Sequence, residues 1–311
     1  MKIQYLAASL LLLSSCIGFT PNRDVGEVYY NLGKAYMELD RHEDAIKAYS
    51  KALDYYADFN VARYNLAMTY ALRKEYTKAM DSADMLLKSA PDSLLYRELK
   101  AWILYKEDEY DKAIYEYNEI IEIDPLRETS LYNLGILNFA KEEYELAVKQ
   151  FEVLVSSYPE NSEYIFWLGR SYYIQEDYEN TVKYLNTISA SDLDSQYKLK
   201  FLLSLGTAHE SLLEFAQAVE IYREGQVLED SAATAQFYFL EGRIQWNIFE
   251  DEDRAYSLFD TAVEKGFSDA EAVTEFADDD ETLEPEKLIE YFTEKSLYLT
   301  EEDADTETEE N

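Results

Sequence analysis

Residues 26–59 read GEVYYNLGKAYMELDRHEDAIKAYSKALDYYADF, and the pattern of this segment returns every 34 residues as far as residue 195. Two columns of small residues keep the step: Gly33, Ala67, Ala101, Gly135 and Gly169, and then Ala45, Ala79, Ala113 and Ala147. A fixed period of this size predicts stacked copies of one supersecondary unit, and not a single closed core.

Each repeat contains two apolar blocks with helical spacing, separated by a short polar break. Apolar residues three and four positions apart indicate an amphipathic helix. Pro91, Pro125 and Pro159 close the second block in three of the repeats. Each repeat is therefore predicted to be a helical hairpin, in which the small residues let the first helix lie close to the second.

These positions resemble the tetratricopeptide repeat, whose pattern is aromatic, Leu-Gly, Tyr, Ala, aromatic, Ala and Pro. In the first repeat they are Tyr29, Leu32-Gly33, Tyr36, Ala45, Tyr49 and Ala52, with Ala57 in place of the proline. Strong repeats cover residues 26–195, and weaker ones follow over residues 199–268 after a break at residues 196–198. The resemblance implies an all-α fold, an α-solenoid of about seven tetratricopeptide-repeat hairpins.

The end of the chain differs from the repeats. Over residues 269–299, Pro285 can open a helix that carries Leu288, Ile289 and Phe292 along one face. We expect this region to form C-terminal capping helices, because the last repeat would otherwise leave an apolar side in water. Residues 300–311 are predicted to form a disordered acidic tail.

The first residues resemble the signal sequence of a bacterial lipoprotein. Lys2 precedes an apolar run over residues 5–13, which is about half of the roughly 20 residues that span a bilayer. Residues 13–16, Leu-Ser-Ser-Cys, then resemble the lipobox. The resemblance implies that residues 1–15 are removed and that Cys16 carries diacylglycerol and palmitate. An ordinary signal peptide cut nearby and a short anchor that is never cut are the alternatives.

A lipid on Cys16 would hold the protein on a membrane, with residues 16–25 as a short tether. The predicted location is therefore the cell envelope, as a membrane-anchored lipoprotein that faces the periplasm or the cell exterior.

Composition excludes several classes of function. The net charge of −36 argues against nucleic acid, whose phosphates need clustered Lys and Arg. Two histidines and one cysteine exclude a Cys/His metal site and a disulfide framework. The chain also lacks a P-loop, a dinucleotide-binding glycine motif and GxSxG. We therefore expect a protein that is not an enzyme and has no cofactor.

The resemblance also indicates where a partner would bind. In tetratricopeptide repeats the first helices form a concave surface through their second, fifth, ninth and twelfth positions. Carried over to this sequence, the predicted partner-binding residues are Tyr30, Lys34, Tyr64, Met68, Trp102, Tyr105, Tyr132, Ile136, Phe139, Phe166, Arg170, Tyr173, Arg243 and Trp246. This surface is rich in aromatic side chains, which anchor bound segments at low entropy cost.

The sequence therefore predicts an interaction scaffold or adaptor that binds a segment of another envelope protein, with Lys34, Arg170 and Arg243 orienting it. Outer-membrane assembly, pilus biogenesis and secretion are the processes that the resemblance suggests. One alternative is that the groove is filled by the C-terminal helix or by a second copy of the chain. Another is an accessory subunit of a solute transporter that handles a small ligand.

Overall fold

The computed structural model describes residues 22–228 and 231–298, and this part of the chain is helical throughout, with no β-strand. The predicted all-α class is confirmed. The predictions for the signal peptide, for Cys16 and for the acidic tail lie outside the described residues.

The helices alternate between the first and second members of successive hairpins. Within the described residues they are α1 (Arg23–Glu38), α2 (His42–Tyr55), α3 (Asn60–Leu72), α4 (Tyr76–Ser89), α5 (Leu94–Lys106), α6 (Tyr110–Ile123), α7 (Glu128–Ala140), α8 (Tyr144–Ser157), α9 (Ser162–Ile174), α10 (Tyr178–Leu185), α11 (Ser195–Ser211), α12 (Phe215–Gly225), α13 (Ser231–Asn247), α14 (Glu252–Glu264), α15 (Ala270–Asp278) and α16 (Pro285–Glu294).

Helix starts follow the sequence period. Helices α3, α5, α7 and α9 begin 34 residues apart, and so do α2, α4, α6, α8 and α10. Helix α1 begins three residues before the predicted Gly26, at Arg23. The reason is a local cap: the Asn22 side chain accepts a hydrogen bond from the Val25 backbone N–H at 3.2 Å, which supplies a partner that the first turn of a helix lacks.

The column of small residues is explained by the packing inside each hairpin. A Cβ atom added at Gly33 would lie 2.5 Å from the ring of Tyr49, and one added at Gly206 would lie 2.3 Å from the ring of Tyr222. Both tyrosines are buried. The predicted close approach of the two helices is confirmed, and each large side chain fills the space that a small one leaves.

The turn inside each hairpin carries a residue in the left-handed region, at the same repeat position every time. The residues are Asp40, Lys74, Asp108, Glu142 and Glu176, with φ between 54° and 64°. Glycine is the usual choice for this conformation at a helix end. None of these residues is glycine, so the sequence carried no signal for the turn geometry.

The chain forms two compact units, which divide after Glu142. The core of the N-terminal unit contains Leu86, Leu99 and Ile103 in one cluster and Tyr117 and Ile120 in the next.

In the C-terminal unit, the last two helices pack on the repeat helices before them. Phe292 of α16 lies 5.1 Å from Phe259 of α14 between ring centroids, and Phe276 of α15 lies 6.0 Å from Phe239 of α13. These contacts cover the apolar side of α13 and α14, as expected for capping helices.

Candidate partner-binding cleft

The N-terminal unit contains an aromatic cleft of about 290 Å³ between α3, α5, α6 and α7. Its lining consists of Tyr64, Met68, Leu95, Glu98, Leu99, Trp102, Tyr117, Thr129 and Asn133. All of them except Tyr117 come from first helices of hairpins, which are the helices that the sequence assigned to partner binding.

The wall of the aromatic cleft is made by Tyr64, Met68 and Trp102, which the sequence had predicted as partner-binding residues. Their inner parts pack on a buried cluster that includes Leu99 and Ile103. Their outer parts remain accessible, because all three are half-buried. The structure thus brings these three together around one opening.

Glu98 is a buried carboxylate in the lining, and its charge is matched. Arg127 donates to it from Nε at 3.0 Å and from a terminal nitrogen at 2.8 Å, and the Ser130 hydroxyl donates at 2.8 Å. The hydrogen bond from Arg127 to the Glu98 carboxylate also raises the pKa of Arg127. Glu98 therefore ties α5 to the start of α7 and is not a free acid.

Tyr117 of α6 forms the buried end of the aromatic cleft, and sequence reasoning did not predict it as a site residue. Its side chain is fully buried, and burial raises its pKa well above the usual value. Within the described residues its hydroxyl has no hydrogen-bond partner. The sequence placed Tyr117 in a column of packing residues, and that pattern carries no sign of an unpaired hydroxyl.

Other predicted residues of the N-terminal unit lie outside the lining. Tyr30 contacts the ring of Tyr49 at 5.9 Å, and its hydroxyl accepts a hydrogen bond from Asn65 at 3.3 Å. The ammonium of Lys34 lies 6.0 Å from the centroid of the Tyr30 ring.

Tyr105 on α5 and Tyr132, Ile136 and Phe139 on α7 are half-buried. The Lys106 ammonium lies 5.2 Å from the Tyr105 ring and 5.6 Å from the Trp102 ring. This places one cation beside the wall of the aromatic cleft.

Two predicted site residues of the C-terminal unit are not exposed, so the prediction that they face a partner is wrong. Phe166 is fully buried, because Tyr197 of α11 packs against its ring at 5.0 Å. Trp246 is 2% exposed, and its Nε1 donates to the Leu283 carbonyl at 2.6 Å. In both cases a later segment covers the position.

The predicted cations of the C-terminal unit are engaged within it. Arg170 donates to the Ser204 hydroxyl at 2.7 Å, and burial lowers the pKa of Arg170. Arg243 donates to Glu210 at 2.7 Å. Tyr173 lies 5.9 Å from the Arg170 guanidinium, measured to its ring centroid.

A separate cavity of about 480 Å³ lies between α11, α13 and α15 in the C-terminal unit. Its apolar lining includes Phe215, Leu240 and Phe276, and Arg243 and Glu275 add charge. Within residues 22–228 and 231–298, no group of three His, Cys, Asp or Glu residues could hold a metal ion. No helix in those ranges is long and apolar enough to cross a bilayer.

Comparison with curated proteins finds likeness over short segments. Protein O-mannosyl-transferase TMTC3 of Homo sapiens is 29% identical over 114 residues, which is 36% of this chain and 12% of that protein. Anaphase-promoting complex subunit 3 of Schizosaccharomyces pombe is 30% identical over 97 residues, which is 31% of this chain and 15% of that protein. The chain thus spans a small part of these relatives.

Solved structures resemble a larger part of the chain. PilF of Pseudomonas aeruginosa has a TM-score of 0.57 at 18% identity, covering 69% of this chain and 96% of that one. PilW, described as a type IV pilus biogenesis factor, has 0.52 at 17%, covering 75% and 98%. A tetratricopeptide repeat protein of Parabacteroides merdae has 0.52 at 16%, covering 81% and 97%. At these identities the likeness establishes the fold.

Two family models match the chain directly. The tetratricopeptide repeat model matches residues 30–93, and the model for the N-terminal TPR repeats region of Psidin matches residues 70–184. Together with the hairpin geometry, these matches support the tetratricopeptide repeat family for this chain.

Proposed function

We propose that this protein is an interaction scaffold that holds a segment of another protein in the aromatic cleft. The observation that carries the proposal is the half-buried wall of Tyr64, Met68 and Trp102 around an opening of about 290 Å³. Large aromatic side chains that are packed on one side and open on the other are typical anchors in protein interfaces. No catalytic constellation enters the proposal.

Replacing Trp102 by alanine is expected to weaken partner capture by about 30-fold or more, since removal of an anchor of this kind typically costs at least about 2 kcal/mol. Capture is measured by crosslinking in native membranes, followed by identification and quantification of the bound protein. Tyr115→Ala is the matched control, because Tyr115 is 61% exposed and is not part of the lining. Undiminished capture by the Trp102 variant, at unchanged helicity, would remove the proposal.

The scaffold is further proposed to be a lipoprotein of the cell envelope, anchored through Cys16. The support is the lipobox-like sequence at residues 13–16 and the fold shared with a pilus biogenesis factor. Pilus biogenesis, outer-membrane assembly and secretion are the processes in which such an anchored scaffold would act.

Replacing Cys16 by serine is expected to move the protein from the membrane fraction to the soluble fraction, because serine cannot form the thioether to diacylglycerol. Membrane fractionation and mass spectrometry of the mature N-terminus make the test. Retention of Cys16→Ser in the membrane with an intact N-terminus would point to an uncut anchor instead.

The second candidate is a ligand-handling subunit of a solute transporter. It is favoured by the cavity of about 480 Å³ in the C-terminal unit, a size common for small-molecule sites. Native mass spectrometry of the purified protein separates the two candidates: a stoichiometric small molecule supports the second, and its absence together with a captured protein supports the first.

A further inference from the structure

The hydroxyl of Tyr117 points to the chemistry of the guest. It is buried without a hydrogen-bond partner among the described residues, at the end of a cleft that is otherwise largely apolar. Buried hydroxyl groups are normally paired, as at Tyr222, whose hydroxyl donates to Glu210 at 2.7 Å. A guest that brings an acceptor to Tyr117 would therefore gain more than one of the same shape without an acceptor.

The size of the aromatic cleft suits one ring-containing side chain. An apolar cavity of about 150 Å³ is large enough to bind benzene, and this cleft measures about 290 Å³. The Tyr64 and Trp102 rings in its wall favour an aromatic guest, since aromatic pairs contribute beyond the area that they bury.

The charges of the lining favour a neutral guest. Glu98 is the one acid of the lining, and it already accepts three hydrogen bonds from Arg127 and Ser130. An anionic guest would meet this carboxylate in a chain of net charge −36. A Lys or Arg tip carries donors only, so it would leave the Tyr117 hydrogen without an acceptor.

We infer that the aromatic cleft selects a neutral aromatic side chain with an oxygen at its tip, that is, a tyrosine of the bound segment, whose phenol oxygen accepts a hydrogen bond from Tyr117. This inference rests on the proposed scaffold function. It names Tyr117 as the residue that distinguishes tyrosine from phenylalanine in the partner.

The test uses small mimics of the two side chains on the full mature chain: p-cresol for tyrosine and toluene for phenylalanine, with 4-methylbenzoate as the anionic comparison. Ligand-observed NMR titrations are expected to show p-cresol binding about fivefold more tightly than toluene and 4-methylbenzoate binding most weakly. With Tyr117→Phe, the preference for p-cresol over toluene is expected to disappear.

A stability measurement supplies the independent readout. Because Tyr117→Phe removes an unpaired buried hydroxyl, its urea midpoint is expected to equal or exceed that of the wild type. Tyr222→Phe, which loses a bonded hydroxyl, is expected to have a lower midpoint. A lowered midpoint for Tyr117→Phe, equal binding of the two mimics to the wild type, or no binding of either would overturn the inference. Partner capture that still depends on Trp102 would leave the scaffold function standing in each of these cases.

Discussion

Gly206→Val is expected to destabilise the C-terminal unit by about 3 kcal/mol, the upper end for overpacking a buried site. Even one added carbon at Gly206 would lie 2.3 Å from the Tyr222 ring. The ring cannot move away freely, because it is fully buried and its hydroxyl donates to Glu210. The better helix propensity of valine returns only about 0.5 kcal/mol, so the clash dominates.

The measurement is urea unfolding followed by circular dichroism, with the transition of the C-terminal unit fitted separately if two transitions appear. The control is the double variant Gly206→Val/Tyr222→Ala. It should be less destabilised than the sum of the two single variants, because removing the ring frees the space that valine needs. Additive effects would show that the two positions do not share that space.

Removing the cations around Glu241, with Arg223→Ala and Arg254→Ala together, is expected to destabilise the C-terminal unit by about 3 kcal/mol. Glu241 is fully buried, and Arg223 donates to it from two nitrogens at 3.0 and 2.8 Å. Arg254 adds a contact at 3.4 Å and Gln226 one at 2.6 Å. The double variant leaves a buried carboxylate without a cation.

The same group predicts a pH dependence. Burial by itself raises the pKa of Glu241, but hydrogen bonds from Arg223 and Gln226 and the charges of both arginines more than reverse this, so the pKa lies below its usual value. A depressed folded pKa means that the stabilisation is complete at about pH 7 and is lost as the pH falls below about 4.3 and through the folded pKa. The stability difference between wild type and double variant should therefore shrink on acidification.

An exposed ion pair serves as the control for this prediction. The Lys112 and Glu109 side chains are 64% and 44% exposed, and they pair at 3.0 Å. Lys112→Ala is expected to change stability by less than about 1 kcal/mol. If the Glu241 variant behaved like this control at neutral pH, water would have to reach the carboxylate.

The periodic part of the structure could be predicted from the sequence because each hairpin repeats the same local contacts. The alternation of small and large residues, as between Gly33 and Tyr49, fixes how closely two helices approach, and it is visible as a column. For the same reason, the meeting of Tyr64, Met68 and Trp102 could be predicted from their repeat positions.

What the sequence did not predict depends on segments outside the period. Helix α10 ends at Leu185, and the chain leaves the repeat over residues 186–194, before the predicted break at residues 196–198. Leu193 and the following helix then bury Phe166. Trp246 is likewise covered by the turn that contains Leu283. A rule that assigns exposure from repeat position has no access to such contacts.

The left-handed residues in the hairpin turns bear on how such a chain changes length. Lys74 and Asp108 have φ values of 61° and 63° and stand 34 residues apart. Excision of residues 75–108 would splice Lys74 to Glu109 with the backbone direction that the original junction has, and a duplication would insert a hairpin equally smoothly. The gene can therefore gain or lose whole modules without inventing a new joint, whereas any other indel length would throw later helices out of phase.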